Sequence, residues 1–279
     1  MEIKENIELS KTLESISPFL KDVYLSALLS FNQKNNKLRF NNCSTNFREL
    51  FRLFFEEVAP DSEIKKAHWF VPDSSSKNGI TRAHRVKYSV YNFISPSNFQ
   101  KDFSQDVNDL STKLLSKIDQ FSKYTHFNSK IVNINEGLAK AIIDEATELF
   151  INLLQTMANS KEVFLEYVEE KIQDELTHTL FLNTFDKIDI LSTHTSIEEV
   201  NDIEFKIDRI TPDNVVIVGN GSIHCELQYG SDSDQRNDLG YKTNDSYPFT
   251  FTGYINTSVI SEIRINPNEI TIDTDEFYN

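Results

Sequence analysis

Residues 203–230, IEFKIDRITPDNVVIVGNGSIHCELQYG, decide the fold class. Up to about residue 200 the apolar side chains recur every three or four positions; here they recur every second one. A period of two places successive side chains on opposite faces of a strand. In SIHCELQY, Ile223, Cys225, Leu227 and Tyr229 share one face, and Ser222, His224, Glu226 and Gln228 share the other. Gly219–Asn220–Gly221 has the composition of a tight turn, so residues 214–230 are read as a hairpin with its turn there. Downstream, PFTFTGYINTS alternates at Phe249, Phe251 and Ile255, and EIRINPNEITID supplies one or two short strands. Five or six antiparallel strands in about 75 residues predict a small sandwich or curled sheet.

Upstream the chain is helical. Ser17 and Pro18 offer a cap and a first helical residue to a segment whose Leu20, Tyr24, Ala27, Leu28 and Phe31 form one face. Asn46 with Glu49 has the spacing of a capping box, which predicts a helix start ahead of Leu50, Phe51, Phe54, Phe55 and Val58, closed by Pro60. Leu138, Ile142, Ala146, Leu149, Leu153 and Met157 repeat at helical spacing, and Ser160 is read as the cap of a further helix carrying Phe164, Val168, Ile172, Leu176 and Leu180. The Glu-rich opposite face of that helix reads as solvated. The fold class is therefore α+β: a mostly helical domain over residues 1–195, and an acidic antiparallel β domain over 200–279. The junction falls near residues 192–202.

The 279 residues carry a formal net charge of −15, unevenly spread. Residues 61–130 hold 11 Lys/Arg against 7 Asp/Glu, whereas residues 131–200 hold 4 against 14. A protein that binds nucleic acid over its whole surface should be basic, so nucleic acid would be met only locally, through 61–97. Two well-separated cysteines fit a reducing compartment and give no disulfide framework. No secretory leader is visible, and no run approaches the ~20 apolar residues of a membrane span, so a cytoplasmic protein without membrane contact is expected.

Ala59–Phe93, APDSEIKKAHWFVPDSSSKNGITRAHRVKYSVYNF, concentrates the unusual residues: the one Trp, two of six His, and six Lys/Arg against three Asp/Glu. Thr81 is the expected N-cap of a helix on which Ala83, Val86, Val90 and Phe93 would face the core. Arg82, Arg85 and Ser89 fall on one flank, and His84, Lys87 and Tyr91 on the other, more exposed one. Arg82 and Arg85 suit phosphate through their planar forks, and His84 suits proton transfer near neutral pH. These three are the candidate catalytic residues. Lys65, Lys66, Trp69, Thr81 and Lys87 are the candidate nucleic-acid contacts, Trp69 by stacking on bases. The same arginines could instead pair with acids of the 131–200 block.

Common catalytic signatures are missing: no glycine-rich phosphate loop, HExxH or GxSxG occurs, and no His follows an Arg by four to six residues. Asp213 and Glu226, brought opposite by a turn at 219–221, outline a Mg²⁺ or Mn²⁺ site with Gln228. The alternative is an ordinary hairpin with a polar outer face. Asp232, Asp234 and Asp238 are close enough for calcium, or for a solvated loop; their order is not that of an EF-hand.

Two passages carry a resemblance. APDSEIKKAHWFVPD…GITRAHRVKYSV resembles the APD…WF…TRxxR segment of bacterial proteins labelled predicted pPIWI-associating nucleases. LQYGSDSDQRNDLGYKTNDSYPF is similar to a C-terminal β module of such proteins, with Leu239 where Asp is usual before Gly and Tyr247 where Phe is usual. The resemblance implies a nuclease-type effector of a bacterial conflict system, with Trp69, Thr81, Arg82 and Arg85 as functional positions and a protein partner of a defence locus. The second class that remains is a non-catalytic adaptor or sensor whose β domain binds a protein or ligand.

Overall fold

A computed structural model describes residues 2–126 and 134–278. Its contacts divide the chain into two units, Met1–Asn92 with Gln100–Ser160, and Phe93–Phe99 with Lys161–Asn279.

The first unit is helical: α1 (Ile7–Ile16), α2 (Pro18–Asn32), α3 (Arg39–Val58), the single turn α4 (Asp61–Ile64), α5 (Arg82–Tyr91), α6 (Lys101–Tyr124) and the first part of α7 (Glu136–Leu182). α2 starts as expected, with Ser17 at the cap and Pro18 in the first turn. α3 begins at Arg39, ahead of the expected start at Asn46. Phe40, Cys43 and Phe47 extend its apolar stripe backwards, and Asn46 donates through Nδ2 to Ser30 Oγ at 3.3 Å instead of capping. The stripe builds an aromatic core. Phe47 stacks on Phe121 of α6 at 5.3 Å, and Phe51 and Phe54 meet Phe150 of α7 at 5.0 and 4.8 Å. Such ring pairs add about 0.5–1.5 kcal/mol each beyond the area they bury.

Helix α7 runs through Ser160, where a break was expected. Ser160 Oγ donates back to Met157 O at 2.9 Å, so the hydroxyl is satisfied inside the helix and caps nothing.

In the second unit, Phe164, Val168, Ile172, Leu176 and Leu180 of α7 are fully buried. Thr179 Oγ1 donates to Ile265 O at 3.4 Å, which ties this part of α7 to the sheet. After the turn α8 (Asp186–Asp189) come β1 (His194–Ile210), β2 (Asn214–Tyr229), the short α9 (Asp232–Arg236), β3 (Tyr241–Asn256) and β4 (Ile263–Ile272). They form one four-stranded antiparallel sheet in the order β1-β2-β3-β4. The α+β class stands, with one meander of long strands in place of five or six short ones.

The hairpin turn expected at Gly219–Gly221 is strand instead. Gly219 pairs with Phe251 and Gly221 with Phe249. A Cβ on Gly219 would lie 2.5 Å from the Phe251 ring and from Glu204 O, and one on Gly221 would lie 2.7 Å from the Phe249 ring. The glycines are thus required by the rings across the ladder, not by a turn. The chain reverses earlier, where Thr211 N donates to Asn214 O at 2.8 Å.

Candidate functional site

The cationic cleft of the first unit lies between α3, α5 and α6. It has a volume of about 450 Å³ and is lined by Arg48, Glu49, Arg52 and Glu56 of α3, Arg82 and Arg85 of α5, and Ser122 of α6, with Phe51, Phe55 and Ile118 as its apolar floor. Helical spacing explains the convergence. Residues 48, 52 and 56 of α3 repeat every four positions along the flank beside its buried stripe, and Arg82 and Arg85 are three apart on α5.

Arg52 donates through Nε to Glu49 Oε2 at 2.7 Å and through Nη1 to Glu56 Oε1 at 2.6 Å. Arg48 donates to Glu49 Oε1 at 2.9 Å. These bonds, that from Arg52 foremost, hold the Glu49 carboxyl below the usual glutamate range, which makes it a poor proton acceptor. Arg82 donates to Asp119 Oδ1 at 2.7 Å. Arg85 is the most enclosed, with its side chain 20% exposed. Its Nη1 donates to the carbonyl of the buried Ala59 at 2.8 Å and its Nη2 to Asp61 Oδ1, while Asn78 Nδ2 donates to Asp61 Oδ2 at 2.7 Å. The acids that meet Arg82 and Arg85 thus come from the basic 61–130 region itself, not from the 131–200 block.

The other residues expected in the site do not line the cleft. Thr81 caps the helix as expected: its Oγ1 accepts from His84 N at 3.3 Å, and His84 Nδ1 accepts from Thr81 N at 3.1 Å. One ring nitrogen of His84 is therefore occupied, and its ring meets Phe70 edge-on at 5.1 Å. Burial, with Lys87 nearby, lowers the His84 pKa below the ordinary value of 6.5. Lys87 Nζ sits 4.3 Å from the Trp69 ring centre, so the face expected to stack on bases carries a cation–π contact. Trp69 Nε1 donates to Asn92 O at 2.9 Å. Lys65 and Lys66 are exposed, Lys66 on Glu63 at 2.7 Å, and neither lines the cleft. Two residues of α5 depart from expectation. Ala83 is exposed, and Tyr91 is buried with Phe103 at 6.2 Å, because the larger ring fills the inward position.

The structure does not bring the proposed metal pair together. Asp213 lies in the β1–β2 turn, whereas Glu226 lies far along β2 opposite Ser196 and Asn244, roughly 40 Å away at about 3.3 Å per residue. Glu226 accepts from Lys242 at 2.6 Å. Asp213 and Glu226 do not fit a shared Mg²⁺ or Mn²⁺. Asp232 accepts from Gln228 Nε2 at 3.0 Å, and Asp234 accepts from Ser231 N and Oγ at 2.8 and 2.7 Å. Both carboxylates serve the β2–β3 connection, and among the described residues no group of three or more His, Cys, Asp or Glu could hold a metal ion.

Arg48, Arg52 and Glu56 were not singled out from sequence, and Glu49 only as a capping-box partner. Their signal was an Arg-x₃-Arg spacing on the polar flank of a helix read only for its apolar face.

Residues 12–150 match one family model and residues 157–278 a second, and both are described as predicted pPIWI-associating nuclease. Neither a curated protein nor a solved structure matches the chain. The change from one family model to the other falls close to the division between the two units at Ser160.

Proposed function

We propose that this chain, which belongs to the predicted pPIWI-associating nuclease family, acts on nucleic acid as a nuclease-type effector and receives a phosphate of the strand in the arginine cleft of its first unit. The observation that carries this is the convergence of Arg48, Arg52, Arg82 and Arg85 on one concave site of a chain whose net charge is −15. Guanidinium forks bind phosphate oxygens bidentately and neutralise charge carried by the phosphoryl oxygens during phosphoryl transfer. Arg85, fixed by Asp61 and the Ala59 carbonyl, would orient the phosphate. Arg48, Arg52 and Arg82 are more exposed and would close on it. His84, with its Nδ1 committed to the helix cap, supports α5 and lies outside the cleft lining. No step is assigned to a metal ion, since the carboxylates expected to hold one are far apart. A role in bacterial defence, with a protein partner meeting the acidic sheet, extends the same proposal.

One observation favours a non-catalytic adaptor: every arginine of the cleft already has an acidic partner. The two are separated by incubating the full chain with single- and double-stranded DNA and RNA, with Mg²⁺, Mn²⁺ or chelator. Cleavage that disappears in Arg82→Ala/Arg85→Ala supports the nuclease. A folded protein that neither binds nor cleaves any of the four overturns it.

A further inference from the structure

We infer that the cleft takes a phosphomonoester, the terminal phosphate of a strand or of a free nucleotide, in preference to an internal phosphodiester. This rests on the proposed function above and names the ligand of the same site. Three observations lead to it.

The first is donor supply. Four guanidinia line the cleft, and each is already paired with a carboxylate, Glu49 and Glu56 in the lining and Asp61 and Asp119 beyond it. A ligand must therefore displace carboxylates with greater charge and more acceptor oxygens than a single carboxylate offers. An internal diester offers two free oxygens and one negative charge. A terminal phosphate offers three acceptor oxygens and about −1.5 to −2 near neutral pH. The latter can engage more forks at once.

The second is how loosely those forks are held. The side chains of Arg52 and Arg82 are 51% and 52% exposed; Arg82 has the exposed Asp119 as its acidic partner, and Arg52 is shared between Glu49 and the exposed Glu56. Exposed ion pairs contribute about 0–1 kcal/mol. Bonds from Arg to carboxylate and to phosphate are both charge-assisted, but a phosphomonoester brings about −1.5 to −2 and three oxygens against the single charge and two oxygens of a carboxylate, so it can exchange for these exposed partners. Arg85 stays in place, anchored by a buried carbonyl and a carboxylate. Arg82 and Arg85 also lie in the first turn of the ten-residue α5, where the helix adds partial positive charge.

The third is shape. A cleft of about 450 Å³ lies in the lower part of the ~300–1,000 Å³ range of small-molecule sites. It has room for one nucleotide, with Phe51, Phe55 and Ile118 beneath it. A duplex presents its phosphates on a convex surface that a concave site of this size does not follow.

The test is fluorescence anisotropy with the full chain in chelator, on internally labelled short single strands of one sequence. The strands bear a 5′-phosphate, a 3′-phosphate or hydroxyls at both ends. Titration calorimetry with a nucleoside monophosphate runs beside it. The expected result is a phosphorylated end bound about tenfold or more tighter than hydroxyl ends, the effect of one further charge-assisted bond. Arg52→Gln, an exposed substitution that spares the core, should cut that preference, as should Arg82→Ala. Calorimetric binding of the monophosphate alone supports the phosphomonoester chemistry, assigns free nucleotide as its source and overturns action on strands. Equal affinity for phosphorylated and hydroxyl ends overturns the inference and leaves the nuclease proposal standing. Absence of binding in every arm overturns both.

Discussion

Arg85 and Asp61 should be measurably coupled, and Arg82 and Asp119 should not. Both arginines line the cleft, but the surroundings of the two pairs differ. Arg85 and Asp61 are 20% and 39% exposed, and each makes a second hydrogen bond, Arg85 to Ala59 O and Asp61 from Asn78 Nδ2. Arg82 and Asp119 are 52% and 65% exposed. A solvated pair contributes about 0–1 kcal/mol, and breaking a fully buried one costs about 3–5 kcal/mol. The Arg85–Asp61 pair lies between, so its coupling should be about 1–2 kcal/mol, and that of Arg82–Asp119 below about 0.5 kcal/mol. Arg85→Ala should cost more than the coupling alone, about 2–3 kcal/mol, because the Ala59 carbonyl loses its donor. The assay is a pair of double-mutant cycles by urea unfolding, read on Trp69. It is the one tryptophan of the chain and lies in the first unit, so its emission reports on that unit. Equal coupling in the two pairs, or none for Arg85–Asp61, would refute the assignment of Arg85 as the fixed member of the cleft.

Three further outcomes follow from other parts of the structure. The lowered pKa of His84 means that the unfolded chain takes up its proton first as pH falls, so this residue's contribution is complete above about 6.5 and declines as pH drops below it toward the folded value; His84→Gln, which keeps a capping-box residue type, should remove that part of the pH dependence from thermal melts between neutral pH and pH ~5. Gly219→Ala should destabilise the second unit by about 1–3 kcal/mol or more through collision with Phe251 and Glu204 O, and circular dichroism of the sheet during unfolding would detect it. Ser160→Ala should change stability by less than about 0.5 kcal/mol, whereas loss of a true helix cap would cost about 1 kcal/mol in the same urea titration.

The sequence carried the α+β class because the change of hydrophobic period near residue 200 is local and survives in β1 to β4. The Gly219–Asn220–Gly221 turn misled because its meaning is non-local. Glycines demanded by phenylalanines thirty residues away look like glycines demanded by a turn. The start of α3 misled for a related reason: Asn46 and Glu49 have capping spacing, but the packing of Phe40 and Cys43 carries the helix past them. Of the candidate site, Arg82 and Arg85 stood out as positive charge in an acidic chain. Arg48 and Arg52 did not, because Glu49 and Glu56 cancel them in any count along the chain. Thr81 was legible as a cap from its place before the helix. The reciprocal bond, which His84 Nδ1 accepts from Thr81 N, was not legible there, since histidine is an unusual partner in that motif.

The central claim, that the arginine cleft receives nucleic-acid phosphate, is tested most directly by the salt dependence of binding. Affinity of the full chain for single-stranded DNA and RNA should be measured over a range of salt, for the wild type, Arg52→Gln and Arg82→Ala. Each substitution should lower the slope of log K against log salt by about 1 while the Trp69 unfolding curve stays cooperative. Binding whose slope and strength are unchanged in both variants would contradict it.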